Sequence, residues 1–283
     1  MCYNSDVIKV SRDIIMKFSY DHDYHIHSYL SLCSKDAAQT PARILEYAKE
    51  NGLKRICITD HFWDSAVPGP SDWYAQQDIE HISASKPLPS ADGVEFLFGC
   101  ETDMDKFCNL GISKECFDNF DFVIIPATHL HMTGFTITPE DKSDNAKIAE
   151  LCIDRFDKLL DMDLPFHKIG IAHPACTLIN NRSYADYLAT LDMIPDEAFE
   201  RVFRKAARVG CGIELNMFDV DVKEENVDAV YRMFRIAKNA GCKFYFGTDA
   251  HHPYEFENAK EIFERAVSIL GLTESDKFHI AKV

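Results

Sequence analysis

Seven short strand-like runs in this chain each end in residues that bind protons or metal ions. The first closes on Asp23, His25 and His27, the second on Asp60 and His61, and the third on Glu101. His129, with His131 close behind, follows the fourth, and His173 follows the fifth. The sixth carries Glu214 and Asn216, and the seventh leads into Asp249 and His251. Imidazole and carboxylate are the usual ligands of zinc, manganese and iron, and a carboxylate can bridge two ions. His25 and His27 stand two apart, so on a strand both project to one face and can grip one ion together. Taken singly these are weak signals. A lone His or Asp at a strand end is usually a polar residue in a solvated turn, and Glu214 alone reads as a carboxylate satisfied in a hydrogen-bond network.

The elements that must position them make the set stronger than its parts. RICIT (55–59), VEFLFG (94–99), FDFVII (120–125), KIGIA (168–172), CGIEL (211–215) and KFYFG (243–247) are too short for helices. Their β-branched and aromatic content reads as buried strand. YDHDYHIH supplies a first strand. Between them lie amphipathic helices with legible ends. Thr40 is an N-cap, Pro41 the first helical residue and Gly52 the stop, while further helices end at Gly210, Gly241 and Gly271. Alternating strands and helices imply a parallel sheet. The expected fold is therefore α/β, a distorted TIM-like barrel of seven strands, with a doubly wound open sheet as runner-up. In a parallel barrel every strand C-terminus points to one face, where active sites are built. Unrelated turn residues would not choose that end seven times.

The irregular stretch 62–93 holds four prolines and both tryptophans, Trp63 and Trp73. It reads as an insertion or lid over the barrel mouth, within a single domain spanning 1–283. The net charge of -16 repels polyanions, which disfavours long nucleic acids and favours bound cations. The ten cysteines are scattered with no CxxC pair, as expected of reduced buried thiols in a cytoplasmic protein. The segment MCYNSDVIKVSRD lacks a signal-peptide core, and no apolar run reaches membrane-spanning length. The sequence sets no oligomeric state.

The motifs DYHIH, ITDH, GCE, the His after FDFVII, IAHP, IELN and GTDAH, in that order, resemble the polymerase-and-histidinol-phosphatase (PHP) family. The resemblance runs from about residue 23 to 251. It implies a (β/α)7 barrel and a phosphoesterase with two or three divalent ions (Zn, Mn or Fe). The first ion would be held by His25, His27, Glu101 and Asp249, and the second by Glu101 as a bridge with His129 and His173. The third would use His61, His251 and a position where relatives carry His and this chain has Cys33, a competent zinc ligand when ionised. The interval from Asp121 to His129 is one residue longer than the family spacing, so His131 stands beside His129 as a candidate. Asp23, Asp60, Glu214 and Asn216 are expected to orient ligands through hydrogen bonds.

The expected activity is hydrolysis of a small phosphate monoester, such as histidinol phosphate or a nucleotide, by a metal-activated water. Asp249 or Asp60 would relay a proton, and Arg182, Lys35 and Trp63 are the candidates for substrate contact. Two other classes compete. One is amidohydrolase-like chemistry, although no strand here ends in the lysine such barrels usually carboxylate. The other is a non-catalytic metal-binding relative.

Overall fold

The computed structural model describes residues 17–280. In chain order the elements are β1 (His22–Ile26), α1 (Pro41–Asn51), β2 (Arg55–Ile58), β3 (His61–Phe62), α2 (Ile79–Ile82) and β4 (Glu95–Thr102). Next come β5 (Phe122–Pro126), α3 (Asn145–Asp161), β6 (Ile169–Ala172), α4 (Tyr184–Met193), α5 (Asp196–Val209) and β7 (Gly212–Asn216). The chain finishes with α6 (Met217–Val220), α7 (Val227–Asn239), β8 (Lys243–Gly247) and α8 (Ala259–Leu270).

The strands pair in parallel in the order β1-β2-β4-β5-β6-β7-β8, and β3 continues the line of β2 past Thr59 and Asp60 to pair with β4. Seven strand positions result, each at the run read from the sequence, in a sheet that nearly closes into a barrel. The helix signals act as expected. Thr40 accepts a hydrogen bond from the Arg43 N–H, and Gly52 ends α1 in the left-handed conformation. Gly210 stops α5 in the same way, and Phe199, Val202, Phe203 and Ala206 bury its apolar face.

Closure falls between β1 and β8. Two backbone hydrogen bonds span this seam, from Asp249 N–H to the His25 carbonyl (2.7 Å) and from His27 N–H to the Ala250 carbonyl (3.1 Å). Below them, side chains replace the ladder. Phe246 N–H donates to His22 Nε2 (3.1 Å) and Thr248 N–H to Asp23 Oδ1 (3.1 Å). Buried peptide N–H groups must find acceptors, so His22 is a structural part of the barrel wall. Asp23 also accepts from the Tyr47 and Thr248 hydroxyls. Burial pushes its carboxyl up to about 7.

The barrel interior holds its own apolar layer, including Tyr24, Cys57, Leu97, Phe122, Ile124 and Tyr245, separate from the larger core under the helices. The register of β1 on β2 shifts between Asp23 and Ile26. Tyr24 thus joins the interior layer while the next residue, His25, reaches across to Glu214 on β7. Bulges of this kind re-aim side chains beside active sites.

Candidate metal centre

With every strand parallel, the polar residues at their C-terminal ends meet above the aromatic floor. His25 lies near the end of β1 and His27 just past it, His61 lies on β3, Glu101 on β4, and Glu214 and Asn216 on β7. His129, His173, Asp249 and His251 lie just past β5, β6 and β8. His173 and Asp249 have φ of 26° and 55°, a region that side chains with a Cβ rarely adopt. Both are pinned by their own amides, His173 N–H to Glu214 Oε2 and Asp249 N–H to the His25 carbonyl. Such strain persists where surroundings over-determine it, commonly at functional sites.

Carboxylate oxygens flank the His25–His27 pair. His25 Nε2 and His27 Nε2 are 3.0 Å apart. Asp249 Oδ1 lies 3.2 and 3.1 Å from them, and Glu101 Oε2 lies 3.5 and 3.2 Å from them. A tetrahedral ion with bonds of about 2.0–2.1 Å has ligand–ligand edges of roughly 3.3–3.4 Å; His25, His27 and Asp249 form one donor group on this scale, and Glu101 joins His25 and His173 in another. The other Glu101 oxygen, Oε1, sits 2.9 Å from His173 Nε2 and 3.9 Å from His129 Nε2. A further group joins His27, Cys33, His61 and His251, with Cys33 Sγ 3.0 Å from His251 Nε2. His61 Nδ1 is buried, lies 3.2 Å from Glu101 Oε2 and makes no hydrogen bond. An unpartnered nitrogen facing a buried carboxylate is what a cation between them would satisfy. The donor set therefore fits divalent metal ions.

Hydrogen bonds fix the rings from behind. Glu214 Oε1 takes His25 Nδ1 at 2.8 Å. Ser31 Oγ pairs with His27 Nδ1 at 2.8 Å and donates to Asp60 Oδ1 at 2.7 Å. The carbonyl of Asp249 takes His251 Nδ1, and Asn216 donates weakly to Asp249 Oδ2 at 3.4 Å. Gly247 makes room for this arrangement, since a Cβ there would fall 1.8 Å from Glu214 Oε1. Sequence reading missed two of these supports. Asp103 Oδ2 holds His129 Nδ1 at 2.9 Å, and Asp103 is itself paired to the buried Arg155. The string ETDMD after the third strand was its signal, but aspartates are commonplace in turns. Ser31 carried no signal at all, because its relay exists only once Asp60 folds beside it.

Charge within the cluster is balanced by protons on the rings. Burial works to raise Glu101 and Asp249, yet the surrounding imidazoles hold both well below the carboxylate range. Burial works to lower His25, but Asp249 and Glu214 raise it well above its ordinary value. Against the same burial, Glu101 raises His173 to about 9. Cations entering the cluster would displace these protons. His251 and His131 are lowered to about 4, chiefly by burial, and stay neutral at pH 7.

A cavity of about 500 Å³ opens onto the cluster, lined by Glu101, Asp249, Cys33 and five histidines, with Trp73, Tyr74, Met132, Phe135 and Leu178 among its other walls. Of the five candidates for substrate contact and proton relay, only Asp249 belongs to this lining. Trp63 is buried behind it and bonds the Val67 carbonyl, so Trp73 is the tryptophan that faces the cavity. The guanidinium of Arg182 is bonded to Ser143, Asn145, Asn180 and Asp186, and Lys35 is exposed elsewhere. Asp60 is buried and occupied by Ser28 and Ser31, which suits a supporting role rather than proton relay. His129 and His131 both line the cavity, and neither joins one of the three donor groups; His129 is the one whose Nε2 stands 3.9 Å from Glu101 Oε1.

The model of the PHP domain family matches residues 23–266. A protein of Vibrio campbellii named probable phosphatase is 26% identical over 247 residues, covering 86% of this chain and 82% of that protein. Among solved structures, histidinol phosphate phosphatase from Lactococcus lactis, complexed with zinc, L-histidinol and phosphate, superposes with a TM-score of 0.57 at 18% identity. The match covers 92% of this chain and 98% of that one, and it shows a shared fold. No helix among the described residues is long and apolar enough to cross a membrane.

Proposed function

This chain belongs to the PHP domain family, and from the centre it builds on that barrel we propose that it hydrolyses a small phosphate monoester with the help of divalent metal ions. The grouping of Asp249 with His25 and His27, and of Glu101 with His25 and His173, carries the reading. His25, His27, Glu101 and Asp249 would hold the first ion. Glu101, His173 and His129 would hold the second, and His61, His251 and Cys33 a third. Bound there, zinc, manganese or iron acidifies water and offsets charge on phosphate oxygens. His129 is preferred to His131 because Asp103 fixes its ring with Nε2 toward Glu101.

The chain's own groups do the positioning. Glu214, Ser31 and Asp103 hold three imidazoles in fixed orientation, as partners of metal-ligating histidines do. Asp249 faces the cavity as a carboxylate and is placed to accept a proton from attacking water. The new P–O bond forms from that water, the ester P–O bond breaks, and the proton passes to the departing alcohol. Histidinol phosphate and nucleoside monophosphates are the first substrates to try, in keeping with the names of the two similar proteins. The segment 62–93, which brings Trp73 and Tyr74 to the cavity wall, would act as a fixed lid on one domain. The nine free cysteines of the described residues support a reducing, cytoplasmic setting. Among the described residues no lysine lines the cavity, which counts against chemistry built on a carboxylated lysine.

The test is elemental analysis of protein purified without added metal, followed by phosphate release from an ester panel. Two or three equivalents per chain, with turnover lost on chelation and in His25→Ala, is the expected result. Failure to take up metal, or activity that survives complete metal removal, overturns the proposal.

A further inference from the structure

The walls of the cavity bear on which alcohol leaves, and this step rests on the phosphate-ester reading. Outside the ligand cluster and His131, the lining is Trp73, Tyr74, Met132, Phe135 and Leu178, with hydroxyls only at Ser71 and Thr133. The Tyr74 hydroxyl is turned away onto Asp103. Among the described residues no lysine or arginine lines the cavity, and its only carboxylates, Glu101 and Asp249, both belong to the cluster. The lysines near the 131–134 loop are engaged by the loop itself. Lys142 donates to the His131 carbonyl and Thr133 Oγ1, and Lys106 to the Gly134 carbonyl.

Two substrate features are therefore unmatched. A second phosphate or carboxylate finds no cation beyond the metal ions, and an ammonium finds no carboxylate outside the cluster. Burying either charge unpaired is costly. A neutral apolar body gains by leaving water, in proportion to the area it hides on the wall. Trp73 is well placed for this, its ring edge-on to His61 at 4.8 Å, so a group stacked on the indole would sit beside the cluster.

We infer that the substrate is the phosphate monoester of an uncharged alcohol with an aromatic or aliphatic body, which packs on Trp73, Met132, Phe135 and Leu178. Histidinol phosphate, with its amine, fits this wall less well, and a nucleoside monophosphate matches it through the base alone.

The metal-loaded protein is assayed on phosphate esters of primary alcohols, namely ethyl, hexyl, 2-phenylethyl and 2-aminoethyl phosphate, together with histidinol phosphate. We expect kcat/KM for 2-phenylethyl phosphate to exceed that for ethyl phosphate by about 20-fold or more, with the two amines at or below ethyl. Trp73→Ala should lower the phenylethyl-to-ethyl ratio about tenfold, mainly through KM, and Trp73→Phe should restore most of it. A ratio between substrates is insensitive to partial loss of folded protein. Equal rates across the neutral esters, or preference for an amine, overturns the substrate class while leaving the phosphatase reading intact. Release from none of the esters overturns both.

Discussion

Replacing Glu214 by Gln isolates one support of the metal centre, because it keeps the shape of the side chain and removes its charge. Glu214 uses both oxygens. Oε1 accepts from His25 Nδ1 at 2.8 Å and Oε2 accepts the backbone N–H of His173. A glutamine offers one oxygen and one NH2, so one of these two buried donors must face another donor. Leaving such a donor unsatisfied costs roughly 1–3 kcal/mol. If His25 loses its acceptor, its ring is no longer fixed or made more basic, and loss of such a partner weakens metal affinity about 10–100-fold. If His173 N–H loses it, the strained backbone at φ 26° loses its anchor and the second site is the one that weakens. Either way Glu214→Gln should release ions at lower chelator concentration. The assay is competition against a chromophoric chelator of known affinity, with circular dichroism to confirm that the barrel stands. Metal affinity within twofold of the parent for every ion would refute the reasoning that Glu214 acts through the ligands.

Four further perturbations probe the same cluster. Loaded with cobalt, the protein should show a thiolate-to-metal charge-transfer band that disappears in Cys33→Ser. Its absence from the parent would remove Cys33 from the ligand set. His129→Ala should lower the metal content by about one equivalent while His131→Ala leaves it unchanged, and the reverse outcome in elemental analysis would exchange their roles. Because His173 keeps its proton up to about 9, apparent metal affinity should climb as pH rises toward 9. The same raised value stabilises the metal-free protein fully below the ordinary histidine value of 6.5 and is lost as pH passes about 9. The metal-free Tm should therefore fall across that window, and a flat profile would contradict the assignment. Chelation should speed hydrogen exchange at the amides of His27, Thr248 and Asp249 far more than at those of β5 and β6, whereas a uniform increase would speak against a clamp at the seam.

The fold was legible in the sequence because its strands are short buried runs separated by well-capped helices. RICIT, KIGIA and KFYFG give period and length together, and Thr40-Pro41 to Gly52 marks one helix at both ends. The gathering of the candidate ligands was legible for a different reason, since parallel topology converts position along each strand into position in space. What escaped depends on direction and distance within loops. Trp63 and Trp73 read alike in sequence, yet one is buried and the other faces the cavity. Arg182 looked available until Asn145, Ser143 and Asp186 folded around it. Asp60 and Asp249 were equal candidates for proton transfer, and only the hydroxyls of Ser28 and Ser31 distinguish them, by occupying Asp60.

The weakest closure of the barrel and its densest ligand group occupy the same place, and one arrangement explains both. A β1 and β8 paired by a full regular ladder would leave no freedom to aim His25 inward after Tyr24 or to set Asp249 at φ 55°. Among the described residues only two backbone hydrogen bonds join the strands at this seam, and His22 and Asp23 make good the loss for Phe246 and Thr248. In exchange, His25, His27 and Asp249 arrive from opposite sides of the seam within 3.2 Å of one another. An ion at that point would bind to both edge strands at once, so its binding energy would also be energy of barrel closure. The buried charges that make this region costly without metal become, with metal, what holds the first and last strands together.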